Sequence, residues 1–89
     1  MSRTRRFETR AIVIRAGHIT TLLSIPDWYG GQILATVDTW IIESATGIPC
    51  HRLPDTQMWV MADLTARTSE DLRLGGWRLC RSPDASHAA

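Results

Sequence analysis

Gln32-Ile-Leu-Ala-Thr-Val-Asp-Thr-Trp-Ile-Ile-Glu-Ser-Ala-Thr46 is the stretch that decides the fold class. Ile33, Leu34, Val37, Trp40, Ile41 and Ser44 recur in it at spacings of three and four, with Asp38, Thr39 and Glu43 largely on the other side. That period predicts one amphipathic helix over residues 32–46. Gly47 supplies the stop and Pro49 stands behind it. Ile42 broadens the apolar face, so cover on more than one side is expected. The β-branched residues give modest helix propensity, so tertiary packing must hold this segment.

On either side of the helix the period is two. Arg6 to Arg15 places Phe7, Ala11 and Val13 on one face and Glu8, Arg10, Ile12 and Ile14 on the other. This reads as a strand whose second half is buried on both faces. Ala16-Gly17-His18 is a tight turn and Ile19 to Ile25 a second strand, together a hairpin. After the helix, Gln57 to Leu64 sets Met58, Val60, Ala62 and Leu64 against Trp59 and Met61. Thr68-Ser69-Glu70-Asp71 can start one helical turn, Gly75-Gly76 is a turn signal, and Trp77 to Cys80 is a last strand. The predicted order is β-β-α-β-β: a small α+β two-layer sandwich, one central amphipathic helix packed on an antiparallel sheet. A three-strand version, or one with a second short helix near residues 68–74, is the competing arrangement. The 89 residues divide into a flexible basic arm (1–5), a single domain (6–81) and a disordered small-residue tail (82–89).

The net charge of +1 hides a segregation. Residues 1–15 hold Arg3, Arg5, Arg6, Arg10 and Arg15 against Glu8, a net +4. Residues 16–66 hold only Arg52 against Asp27, Asp38, Glu43, Asp55 and Asp63, a net −4. This excludes a uniformly basic nucleic-acid coat and leaves a local patch. All basic side chains are arginine, so each is a planar fork suited to carboxylate or phosphate.

Chemistry-bearing constellations are sparse. Cys50-His51 is the one adjacent thiol–imidazole pair, and neighbours on an extended chain point to opposite sides. Cys50, His51, Cys80 and His87 lack the closely spaced ligand pairs of a zinc site. Gly30-Gly31 and Gly75-Gly76 match no nucleotide-binding fingerprint. Two isolated thiols are expected rather than a Cys50–Cys80 bridge. No metal, cofactor or enzymatic activity is expected. No apolar run approaches the ~18 residues of a membrane span, and a cytoplasmic setting is the default.

Four tryptophans are many for a domain of this size to hide. Trp28-Tyr29 sits in a loop between Pro26-Asp27 and Gly30-Gly31, where large aromatics either anchor a partner or fold back onto the core. The candidate partner-binding residues are Arg3, Arg5, Arg6, Arg10, Arg15, Trp28, Tyr29, Trp59, Trp77 and Arg78. Indoles would fill pockets on the partner and arginines would pair with its carboxylates. The expected function is a non-catalytic protein-binding module, an inhibitor or accessory regulator of the kind phages and mobile elements encode. The expected partner is another protein with an acidic surface, with a homodimer as a further mode.

Trp40-Ile-Ile-Glu-Ser44, then Pro49, Arg52-Leu53 and Trp59 through Asp63-Leu64, is similar to the second half of excisionase-type and MerR-type winged-helix domains. The resemblance covers about 25 residues and implies a small DNA- or RNA-binding regulator, here using its N-terminal arginine patch. The preceding helix departs from that pattern. Leu34 through Ser44 contains no Arg, Lys, Asn or Gln and carries Asp38 and Glu43, whereas a recognition helix needs donors toward bases.

Overall fold

The computed structural model describes residues 6–80. The arm at 1–5, with Arg3 and Arg5, and the tail at 82–89 lie outside the described residues. Five strands form one antiparallel sheet: β1 (Phe7–Ala16), β2 (Thr20–Ser24), β3 (Ala35–Asp38), β4 (Gln57–Ala62) and β5 (Gly75–Leu79). Their spatial order is β3-β2-β1-β4-β5. One helix, α1 (Thr39–Thr46), joins β3 to β4. The expected α+β class and the helix-on-sheet packing are what is found. A meander of three strands followed by a fourth that returns beside the first is a Greek key, and β5 extends it.

The helix is shorter than its period predicts. Residues 35–38 form β3, and the helix starts at Thr39. Ala35 and Val37 face inward while Thr36 and Asp38 face out, so pairing with β2 takes a segment whose β-branched residues fit either period. The stop is as read: Gly47 adopts φ +74°, and its N–H donates to the Glu43 carbonyl. Gly75-Gly76 opens β5 rather than preceding it, and Ser69–Leu72 is a short 3₁₀ turn.

Three hydrogen bonds tie the start of α1 to the β1–β2 turn. Thr39 N–H donates to the Ile19 carbonyl at 2.8 Å, and Thr39 Oγ1 donates to the Gly17 carbonyl at 2.8 Å. That hydroxyl has a single proton, so Thr21 Oγ1, 2.8 Å away, must be the donor in their mutual bond. Both threonines are fully buried. So fixed, α1 lies on the inner side of the sheet and touches β2, β3 and the far edge strand β5. The sheet must therefore curl, bringing its two edges toward the helix. Ala11, Val13, Leu23, Ile25, Met58, Val60 and Ile42 fill the interior.

Replacing Thr39 by Val keeps shape and burial but leaves the Gly17 carbonyl and the Thr21 hydroxyl without their partner. An unsatisfied buried polar group costs about 1–3 kcal/mol, so the urea midpoint of Thr39→Val should fall while the m-value stays constant. An unchanged midpoint would show that the relay does not hold the helix.

Candidate functional site: the outer face of the sheet

Alternation along β1 sends Thr9, Ala11 and Val13 inward and Glu8, Arg10 and Ile12 outward. A continued alternation would turn Arg15 into the core. A bulge between Val13 and Arg15 prevents this: Arg15 pairs with Leu22, an outward residue of β2, and Ala16 pairs with buried Thr21. Ile14, the extra residue, is 48% exposed.

The outer face thus carries a half-buried apolar centre of Ile12, Leu22, Trp59 and Met61, extended by Ile14. Among the described residues no helix covers it. Arginines surround the centre. Arg10 is the register partner of Trp59, and Trp59 is that of Arg78, so the three lie in one row across β1, β4 and β5. The Arg10 guanidinium sits over the indole, 5.4 Å from the ring centroid. Arg78 is held by Glu8, with Nε 3.0 Å from Oε2 and Nη2 on the same oxygen. Both side chains are largely exposed, so the pair orients Arg78 more than it stabilises the fold.

Beside Trp59 is a depression of about 290 Å³ lined by Glu8, Thr9, Arg10, Pro26, Asp27 and Trp59. Thr9 Oγ1 donates to Asp27 Oδ2 at 3.0 Å and fixes the Pro26-Asp27 segment against β1. The volume of the depression stands at the small end of the about 300–1,000 Å³ usual for small-molecule pockets. An apolar centre within a charged rim is the anatomy of a protein interface.

Of the residues singled out in the sequence, Arg10, Arg15, Trp59 and Arg78 meet on this face. Arg6 is half-buried beside Gly75: a Cβ there would lie 2.7 Å from Arg6 Nη2. Its Nε is buried with no hydrogen-bond partner. Trp28 corrects the expectation of a surface anchor. It is 1% exposed, and its Nε1–H donates to the Ala66 carbonyl at 2.8 Å, making it a core residue. Tyr29 lies edge-on against it, with ring centroids 5.0 Å apart, and is itself exposed. Trp77 is half-buried and packs against the core, so it too is drawn inward.

Trp40 is the reverse case. The predicted apolar stripe included it, yet it is 64% exposed. Thr39 and Ile42 are the buried residues of α1. Two residues along a helix is a rotation of about 200°, which places Trp40 opposite Ile42. Anchoring the period on a helix that starts at Thr39 would have found it.

Elsewhere, both cysteines are free thiols, as expected. Cys50 Sγ lies 3.8 Å from Nδ1 of His18, 32 residues away in the chain. The segment similar to winged-helix domains forms α1, a 3₁₀ turn at Cys50–Arg52 and β4. Among the described residues only a 3₁₀ turn at Tyr29–Gly31, and no α-helix, precedes α1, so the helix pair of such a domain is not formed. Among the described residues no helix is long and apolar enough to cross a membrane. No family model matches the sequence, and neither a curated protein nor a solved structure matches it.

The two tryptophan environments can be separated by substitution. Trp28→Phe strands the Ala66 carbonyl, at a cost of about 1–3 kcal/mol for the unpaired group, and opens a cavity besides. Thermal unfolding should show a clear fall for Trp28→Phe and a small one for Trp59→Phe. The opposite ranking would contradict the assignment of core and face.

Proposed function

We propose that this chain is a non-catalytic protein-binding module, an inhibitor or accessory regulator that engages an acidic partner through the outer face of its sheet. The observation that carries the reading is the Arg10–Trp59–Arg78 row beside an uncovered apolar centre. Trp59 and its aliphatic neighbours supply area that a partner can exclude from water. The arginine forks supply charge-assisted bonds to carboxylates around that area. Steric occlusion of the partner is then the mode of action, since binding itself requires no bond to be made or broken.

Nucleic-acid binding is the second reading, and the connectivity of the sheet favours it. Partly open five-stranded Greek-key barrels, the OB-fold type, include oligonucleotide binders. Fold alone does not assign function, and the side chains weigh the other way. Such barrels use the face of their second and third strands. Here that face presents Thr20, Leu22, Ser24, Thr36 and Asp38, with no aromatic platform and no arginine.

Peptide display against the immobilised protein separates the two. Selected peptides should combine Asp or Glu with large apolar residues. Their binding should weaken steeply with salt and fall at least tenfold in Trp59→Ala and Arg10→Glu. If no acidic peptide is selected while a short single-stranded oligonucleotide binds with the same salt and substitution dependence, the nucleic-acid reading replaces this one.

A further inference from the structure

We propose that the outer sheet face of one copy receives the α1 end of a second copy of the same chain, in a head-to-tail contact. The inference rests on the reading of the outer face as a binding surface and names one partner for it. Its second half is a surface that the first reading does not use. Trp40 is 64% exposed and Ile19 78% exposed. The Thr39 N–H to Ile19 carbonyl bond and the threonine relay hold these two neighbours at one end of the sheet. Asp38, exposed, directly precedes α1, and Glu43 lies one helical turn beyond Trp40, half-buried, with its Oε2 accepting the Cys50 N–H at 2.9 Å. From Gly17 to His51 the chain contains no arginine or lysine. This end therefore presents an exposed indole and isoleucine in an anionic frame.

The outer face presents the complement, an apolar centre with Trp59 framed by Arg10, Arg15 and Arg78, with Glu8 paired to Arg78, Asp27 lining the depression beside Trp59 and Asp38 at the far β3 edge. Like-on-like pairing is disfavoured for each surface, arginines meeting arginines or carboxylates meeting carboxylates. The cross-pairing satisfies both charge and apolar area. α1 lies on the inner side of the sheet, so one molecule can use both surfaces at once. Such a heterologous contact either closes into a ring or extends as a chain. It also competes directly with an acidic partner for the Arg10–Trp59–Arg78 row, so self-association would set how much of that row is free.

Sedimentation velocity over a range of concentrations tests this. The mean mass of the wild-type chain should rise above the 10.0 kDa monomer with concentration and return toward it at high salt. Trp40→Glu and Arg10→Glu should each remain monomeric, and Ile19→Asp and Arg78→Glu should repeat the result at second positions. An equimolar mixture of Trp40→Glu and Arg10→Glu should form a one-to-one dimer that grows no further, because each variant keeps the surface that the other has lost. A wild-type mass independent of concentration would overturn the proposal, as would a mixture that stays monomeric or a Trp40→Glu chain that associates normally. If the chain is monomeric yet an acidic peptide still binds and Arg10→Glu abolishes that binding, only the self-contact falls. If the peptide fails as well, the reading of the outer face falls with it.

Discussion

Strand β1 is the element on which the rest of the molecule depends, because it hydrogen-bonds two different strands along its length. Phe7 to Ile12 pair with β4, and Ile12 to Ala16 pair with β2. With β1 at its centre the sheet can curl round a single interior, and the bulge at Val13–Arg15 increases twist where the pairing changes hands. The same bulge re-aims Arg15. Interior and outer face are thus two sides of one ladder: Thr9, Ala11 and Val13 are the core, and Glu8, Arg10 and Ile12 are the surface. A one-residue slip of β1 would exchange them, burying arginines and exposing the core, so the buried side fixes the register of the exposed one.

The remaining elements close the interior from one side only. α1 crosses the inner side from β3 toward β5, held at its first residue by the Thr39 relay and at its last by Gly47. Trp28 fills the other flank and is pinned by the Ala66 carbonyl. One short helix and a few loop residues can cover one face of a five-stranded sheet and no more. A chain of this length retains a large surface relative to its volume, and on the outer face part of that surface is the half-buried apolar centre around Trp59. Binding there requires no rearrangement of the core, because the row of Arg10, Trp59 and Arg78 is set by backbone pairing. That rigidity lowers the ordering cost of association.

The sequence made the class legible because its periods change cleanly, from two in the strands to three and four near Trp40 and back to two at Gln57. It misplaced the start of the helix because Ile33, Leu34 and Val37 suit either period, and only pairing with β2 decides between them. Arg10, Arg15, Trp59 and Arg78 could be named as candidates from residue type, but their meeting could not. The row spans residues 10, 59 and 78, and its register depends on two separate strand pairings. The tryptophans were hardest to place. Trp28 is in a loop yet buried, because its indole N–H finds the Ala66 carbonyl 38 residues away. Trp40 is in a helix yet exposed, because Thr39 is claimed by the β1–β2 turn. Both outcomes rest on long-range hydrogen bonds, which no local pattern encodes.

The central claim is that the outer face, and not the aromatic loop, meets the partner. Nitrogen-resolved NMR of the indole and arginine side chains during titration with an acidic apolar peptide tests it most directly. The Trp59 indole and the Arg10 and Arg78 Nε–H signals should move together and saturate at one ratio, while the Trp28 indole, bonded to Ala66, stays fixed. Shifts centred on Trp28 and Tyr29, with the Arg10–Trp59–Arg78 row unmoved, would contradict it.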